Sequence, residues 1–149
     1  MTLKEKIQQD LITAMKAGDK NRVDALRMLK TAIMRFEVAG AAKKDATDED
    51  IIAIVQKEIR QRQDSIEQFR TGNRPELAEK EASEIESLKI YLPPQLSEDE
   101  IRAAVQAAIA ETGATTKQEM GKVMAALMPK VKGKADGKLV SKIVGEILK

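Results

Sequence analysis

The chain has 149 residues, of which 42% are hydrophobic and 34% are charged, and its formal net charge of +2 is small; this length suits one domain or two small ones. The sequence contains neither cysteine nor histidine, which excludes disulfides, thiolate nucleophiles, zinc sites of the usual kind and imidazole acid–base catalysis. The N-terminus lacks the apolar core of a signal peptide, and no apolar run approaches the roughly 18 residues of a membrane helix, so we expect a soluble, cytoplasmic protein without a membrane partner.

Four helices are predicted in the first 92 residues, because helix-forming residues dominate and apolar residues recur every three or four positions. Thr2 and Glu5 have the spacing of a capping box, and Asp19 is placed to cap the next helix. Pro93 and Pro94 end the series, because proline lacks an amide hydrogen and disfavours helical geometry in the residue before it. The expected helices lie at 2–18, 19–40, 47–72 and 75–92.

Three shorter helices are predicted beyond the two prolines. Ser97 and Glu100 have capping-box spacing, and so do Thr116 and Glu119. The second of these helices is expected to end before Pro129, and Asp136 is expected to cap the third. The sequence therefore predicts an all-α protein with two lobes, an N-terminal four-helix domain at 1–92 and a C-terminal three-helix bundle at 93–149.

The two predicted lobes differ in charge. Residues 1–92 contain 17 basic and 17 acidic residues, whereas the chain from Gly113 onward contains eight lysines and three acids. Taken alone, this excess of positive charge is accounted for by a solvated lysine-rich surface. Contact with the phosphate groups of a nucleic acid is the alternative.

Several patterns contain the residue types of known sites but not their spacing. The segment GKADGKL at 133–139 is one residue short of a phosphate-binding loop and has Leu139 where a magnesium-binding hydroxyl is required. The aspartates between Asp45 and Asp50 lack the central glycine of a calcium loop. The serines lie inside predicted helices without a nucleophile elbow around them. We therefore predict no catalytic residue, no metal site and no cofactor.

Polar residues also accumulate at 57–65 and among the glutamates from Glu76 to Glu86. We expect these residues to form surface salt bridges and a solvated acidic face. A network at the edge of the core, joined to Glu81 or Glu84, is the alternative. A methionine repeat at Met120, Met124 and Met128 is expected to belong to the core, with a peptide groove as the alternative.

Long segments of the chain resemble the GatB/YqeY family. YLPPQLSEDEI and GATTKQEMGKVMAALMPKVKGKADGKLVSKIVGEIL resemble its signature region, and RMLKTAI and KEIRQRQDSIEQF resemble its N-terminal half, with Lys134 where the family often has arginine. The resemblance implies a bacterial-type protein whose C-terminal lobe is similar to the tail domain of the B subunit of the glutamine-dependent aspartyl/glutamyl-tRNA amidotransferase. In that enzyme the tail contacts tRNA. The catalytic part of that subunit has no counterpart in this chain.

Three functional hypotheses follow from the resemblance and the lysines. The first is a non-catalytic accessory protein of translation that binds tRNA or another structured RNA, with a protein partner and without DNA binding. The second, which the resemblance implies, is a carbon–nitrogen ligase with glutamine as amido donor, acting with a partner on mischarged tRNA. The third is a helical protein-interaction adaptor. The RNA-binding candidates are Lys117, Lys122, Lys130, Lys132, Lys134, Lys138 and Lys142 with the backbone amides of Gly137 and Lys138, where a capping Asp136 would compete with phosphate.

Overall fold

The computed structural model describes residues 1–148, which fall into two compact units divided between Leu92 and Pro93. The N-terminal unit contains helices α1 (Leu3–Ala17), α2 (Lys20–Val38), α3 (Asp48–Thr71) and α4 (Pro75–Lys89). The C-terminal unit contains α5 (Glu98–Thr112), a 3₁₀ helix (Lys117–Glu119), α6 (Met120–Val131) and α7 (Gly137–Ile147). The prediction of an all-α fold with four and then three α-helices is confirmed for this part of the chain, whereas independent folding of the units stays a prediction.

Local capping signals set most helix ends in the N-terminal unit. The Thr2 hydroxyl accepts a hydrogen bond from the Glu5 amide, and the Glu5 carboxylate accepts one from the Thr2 amide, as the capping box requires. Gly18 ends α1 with a φ of 68°, in the left-handed region that glycine adopts without steric cost. The helix α2 ends at Val38 and does not reach Gly40. No described helix is both long and apolar enough to cross a membrane.

The fourth helix ends three residues before the expected position at Leu92. Its last residue is Lys89, and the Tyr91 and Leu92 amides donate to carbonyls only three residues earlier. The reason is partly local, because Leu92 precedes a proline. It is also tertiary, because the Tyr91 ring is buried and its hydroxyl donates to Asp10 Oδ2 at 2.6 Å. The pKa of Tyr91 is raised mainly by burial and secondly by this hydrogen bond to Asp10.

The C-terminal unit departs from the predicted helix ends around its central helix. Thr116 makes no capping hydrogen bond, and the Glu119 carboxylate instead accepts the Thr115 amide at 3.1 Å. The helix α6 then continues through Pro129 to Val131 and does not end before the proline. Proline costs this helix a hydrogen bond. The extension nevertheless buries Val131, and the Lys132 amide closes the last turn on Met128 O at 2.9 Å.

The core of the C-terminal unit holds α6 and α7 against each other. Met120, Met124 and Met128 are partly buried and pack against this core, which confirms their predicted core role. The Met128 methyl group lies 3.8 Å from where a Cβ would stand at Gly137, and the Met120 methyl group lies at the same distance from that position at Gly145. The start of α7 therefore lies beside the end of α6, and the two helices run antiparallel.

Candidate nucleic-acid interface

Seven exposed lysines are distributed along the C-terminal unit, from the 3₁₀ helix through α6, the connector between α6 and α7 (132–136), and α7 itself. Because α6 and α7 are antiparallel, the last turn of α6, the connector and the first turn of α7 form one end of the helix pair. Lys130 lies in that last turn of α6 and not in the connector as the predicted helix end implied. The lysines at this end are Lys130, Lys132, Lys134 and Lys138. Lys142 lies one turn further along α7, Lys122 lies near the start of α6, and Lys117 lies in the preceding 3₁₀ helix.

The three acidic residues that follow Gly113 are each engaged by nearby groups. Glu146 accepts a hydrogen bond from Arg102 at 2.7 Å, which joins α7 to α5. The Thr115 amide donates a hydrogen bond to the Glu119 carboxylate. This bond is the main reason that the pKa of Glu119 lies below its usual range. Asp136 accepts the Lys138 amide at 3.2 Å. These carboxylates therefore have partners in this unit other than the lysine ammonium groups around them.

Few of these lysines form ion pairs with carboxylates of the described chain. Lys130 pairs with Glu111 at 3.1 Å, but both side chains are 60% exposed, and such surface pairs contribute little to stability. Within residues 1–148, no ion pair forms at five further lysines, namely Lys117, Lys122, Lys134, Lys138 and Lys142. Their positive charges are therefore available to an anionic partner.

Two hydrogen bonds fix the backbone of the connector. The Leu96 amide donates to Lys134 O at 2.9 Å, and Gln95 Nε2 donates to Gly133 O at 2.8 Å. These bonds attach the segment before α5 to the connector between α6 and α7. Lys138 and Lys142 are four residues apart on α7, so their side chains lie on neighbouring parts of one helix face. Lys134, Lys138 and Lys142 thus extend from a backbone that the fold holds in place.

One of the two backbone amides proposed as an anion site at the start of α7 already has a partner within the protein. Asp136 Oδ1 already accepts the Lys138 amide, as its N-cap position requires. The carboxylate also repels a phosphate at the same point. Lys138 consequently remains a candidate through its side chain, whereas its backbone amide is already bonded to the protein's own carboxylate.

A buried charge cluster in the N-terminal unit contradicts the expected solvated surface at two residues. Arg62 is 4% exposed, and its Nη1 donates to Glu58 Oε2 at 2.8 Å while its Nε donates to Glu84 Oε2 at 3.3 Å. Glu81 lies 3.9 Å from the same Nε. The alternative of a network at the core edge is therefore correct for Arg62 and Glu84. The signal was present in the sequence, because position 62 continues the buried helical repeat that includes Ile59.

A second buried carboxylate, Glu37, holds the start of α1 and the loop after α2 together. Glu37 is 4% exposed and accepts hydrogen bonds from Lys4 Nζ and from the Ala46 amide. The hydrogen bond from Lys4, and secondly the one from the Ala46 amide, lower the pKa of Glu37 below its usual range. Asp48 accepts the Leu3 amide at 2.9 Å and strengthens the same junction. Sequence patterns predicted neither contact, because both depend on residues far apart in the chain.

Glu84 is expected to make stability fall as the pH rises above the ordinary range of glutamate. Burial outweighs the attraction of Arg62 and raises the pKa of Glu84, so the folded state retains a proton that the unfolded state has released. The contribution of this proton to the free energy of unfolding is fully present below the pKa that Glu84 has in the unfolded state. It is lost as the pH rises through the higher pKa that Glu84 has in the folded state. We therefore expect Glu84→Gln to gain stability relative to the wild type across that pH window. Urea unfolding from pH 4 to 8 measures this, and a wild-type advantage that grows with pH contradicts it.

The fold and these charges define a class: a two-unit all-α protein with a lysine-rich helical bundle at its C-terminal end. The chain belongs to the YqeY-like protein family, whose model matches residues 4–148. This confirms the family resemblance of the sequence motifs.

Three fungal relatives show the extent of the similarity. The protein "Altered inheritance of mitochondria protein 41, mitochondrial" of Lachancea thermotolerans is 40% identical over 107 residues, which cover 70% of this chain and 57% of that protein. The protein of the same name in Pyrenophora tritici-repentis is 32% identical, with 70% and 58% covered. An uncharacterized protein of Schizosaccharomyces pombe is 37% identical over 61% of this chain and 72% of its own length. The matches thus span little more than half of the two mitochondrial relatives.

Proposed function

We propose that this chain is a non-catalytic accessory protein of translation that binds tRNA or another structured RNA through its C-terminal unit. The observation that carries the proposal is the set of exposed lysines Lys134, Lys138 and Lys142, which extend from the connector and α7 and form no ion pair within residues 1–148. Lysines that neutralise phosphates release counterions, which supplies most of the sequence-independent affinity for nucleic acids. Membership of the YqeY-like family supports the comparison with the amidotransferase tail domain. The cytoplasm remains the compartment expected from the sequence.

The composition of the C-terminal unit favours recognition of phosphates and shape over bases. All three aromatic residues of the chain, Phe36, Phe69 and Tyr91, precede this unit. Base stacking on aromatic side chains, which single-stranded RNA binders commonly use, is therefore not available there. A folded RNA presents its phosphates in a fixed arrangement that spaced lysines can contact. A structured RNA is accordingly the proposed ligand class.

Replacing Lys134, Lys138 and Lys142 together with glutamine is expected to weaken tRNA binding strongly. Each phosphate contact contributes a slope of about −0.7 to −0.9 to the plot of log affinity against log salt, so losing three contacts reduces the slope by about 2 to 3. At 0.1 M salt this corresponds to a loss of affinity of about a hundredfold. These three lysines are chosen because their side chains are exposed and make no ion pair within the described chain. Fluorescence anisotropy with labelled tRNA over a salt series measures both quantities.

The matched control replaces three exposed lysines of the N-terminal unit, Lys16, Lys20 and Lys57, with glutamine. Lys4 and Lys6 are unsuitable controls, because Lys4 bonds to buried Glu37 and Lys6 Nζ lies 5.7 Å from the centre of the Tyr91 ring. The control is expected to retain the wild-type slope. The proposal fails if the wild type has no salt-dependent affinity for tRNA, or if both triple variants lose affinity equally.

A further inference from the structure

An exposed apolar strip runs along the first two helices of the N-terminal unit. Met1 precedes α1, Ile12 and Met15 lie on α1, and Met34 and Val38 lie on α2. These five side chains are between 43% and 84% exposed. Contiguous apolar surface on a folded protein commonly marks an interaction site, because leaving it in water is unfavourable.

A groove lies between these two helices, and Met1, Ile12 and Met34 of the strip line it. Its volume is about 610 Å³, and its apolar lining consists of Met1, Ile7, Ile12, Ile33 and Met34. Ile7 and Ile33 are buried and form its floor, while the other three side chains leave apolar surface exposed along it. The groove is therefore a preformed apolar cleft of the size that a side-chain ridge of another helix can enter.

The polar lining gives the groove two oppositely charged ends. The helices α1 and α2 are joined by the short turn at Gly18 and Asp19 and run antiparallel, so the bond between Lys4 and Glu37 marks the end far from that turn. Glu5 lies at that end. Lys30 precedes Glu37 by seven residues, which places it about 10 Å along α2, toward the turn and the Ile12 end. Lys30 is exposed and forms no ion pair within residues 1–148.

We infer that this groove is the interface through which two copies of this chain associate. A twofold axis across the middle of the groove exchanges its ends, so Lys30 of each copy faces Glu5 of the other. Such an isologous contact requires a surface that is complementary to itself. The charge pattern of the groove meets this requirement, because its acid and base lie at opposite ends of one apolar surface. An unrelated partner would not require this arrangement, and the inference is independent of RNA binding.

Charge reversal at the two ends gives a direct test on the full-length chain. Glu5→Lys places lysines opposite lysines in a homodimer, and Lys30→Glu places glutamates opposite glutamates. Each variant alone is expected to dimerise at least tenfold more weakly than the wild type, since like charges across an interface repel. An equimolar mixture of the two variants is expected to associate again, because every pair across the heterodimer then joins a lysine to a glutamate. Sedimentation equilibrium without RNA measures all four samples.

The mixing experiment also separates an interface effect from a folding effect. Glu5→Lys removes the hydrogen bond to the Thr2 amide, but a misfolded variant would not regain association when mixed with Lys30→Glu. The inference is overturned if the wild type remains monomeric up to about 1 mM, where even a weak dimer associates. It is also overturned if the single reversals dimerise like the wild type or if the mixture stays monomeric.

A third variant tests the apolar part of the same surface. Met34→Asp places a charge in the middle of the strip and is expected to abolish dimerisation, because an unpaired charge in an interface is strongly unfavourable. Ile90→Asp is the matched control, since Ile90 is 51% exposed and lies at the end of α4, outside the groove. The control is expected to dimerise like the wild type. Dimerisation that survives Met34→Asp would overturn the inference.

Discussion

Replacing Arg62 with methionine is expected to lower the free energy of unfolding by about 3 kcal/mol or more. The guanidinium is buried and donates to both Glu58 and Glu84, with Glu81 at the edge of the same cluster. Removing it leaves carboxylates inside the fold without their positive partner, and unpaired buried charge is among the most destabilising outcomes of a single substitution. Methionine retains the length and apolar stem of the side chain, so the loss reports on charge. Urea denaturation at neutral pH measures it.

Arg70→Met is the matched control for this substitution. Arg70 lies in the last turn of the same helix with an exposed side chain, and its replacement is expected to change stability by no more than about 0.5 kcal/mol. Adding Glu84→Gln to Arg62→Met is expected to recover part of the lost stability, because one of the stranded carboxylates is then neutral. Equal losses at Arg62 and Arg70, or no recovery in the double variant, would contradict the assignment of Arg62 as the centre of a buried charge cluster.

Replacing Leu127 with alanine is expected to cost about 2–5 kcal/mol and to unfold the C-terminal unit selectively. Leu127 is fully buried in the core formed by α5, α6 and α7. A unit of this size has a small core and a correspondingly small reserve of stability. The N-terminal unit has its own core, which includes Leu29, so it is expected to stay folded. Hydrogen exchange with mass spectrometry resolves the protection of each unit.

Leu29→Ala supplies the reciprocal variant in the N-terminal unit. Leu29 is also fully buried, so the same side chain is truncated in the other core. Loss of protection in residues 1–92 with retained protection in residues 93–149 is expected. This outcome would establish the predicted independent folding of the two units. Joint loss of protection in both units, from either substitution, would instead show one cooperative domain.

Helix position was predictable where the determining contacts are local. The boxes at Thr2 with Glu5 and at Ser97 with Glu100 form as expected, because their partners are three residues apart and meet whenever a helix begins. The same pattern at Thr116 and Glu119 was misleading. There the Glu119 carboxylate binds the Thr115 amide, and a 3₁₀ turn precedes α6. Residue spacing does not distinguish these two arrangements, since a glutamate carboxylate can reach a backbone amide either three or four residues before it.

The candidate interface was predictable in composition but not in arrangement. The excess of lysine after Gly113 is visible in the sequence. The antiparallel packing of α6 and α7, shown by Met128 beside Gly137, places lysines from separate segments at one end. The structure also shows that Asp136 fills the amide site at Lys138 and that Lys130 has Glu111 as a partner. These pairings depend on side-chain direction, which a linear pattern of charges does not specify.

The sequence by itself determined the all-α class, most helix starts and the family, because each follows from contacts within a few residues or from long ordered motifs. Tertiary structure alone decided which polar residues are buried. Arg62 meets Glu84 across 22 residues, and Glu37 meets Lys4 across 33. A charged residue is buried only where a partner compensates its desolvation, and that partner is supplied by another helix. Tertiary structure likewise brought Glu5 and Lys30 to opposite ends of one groove.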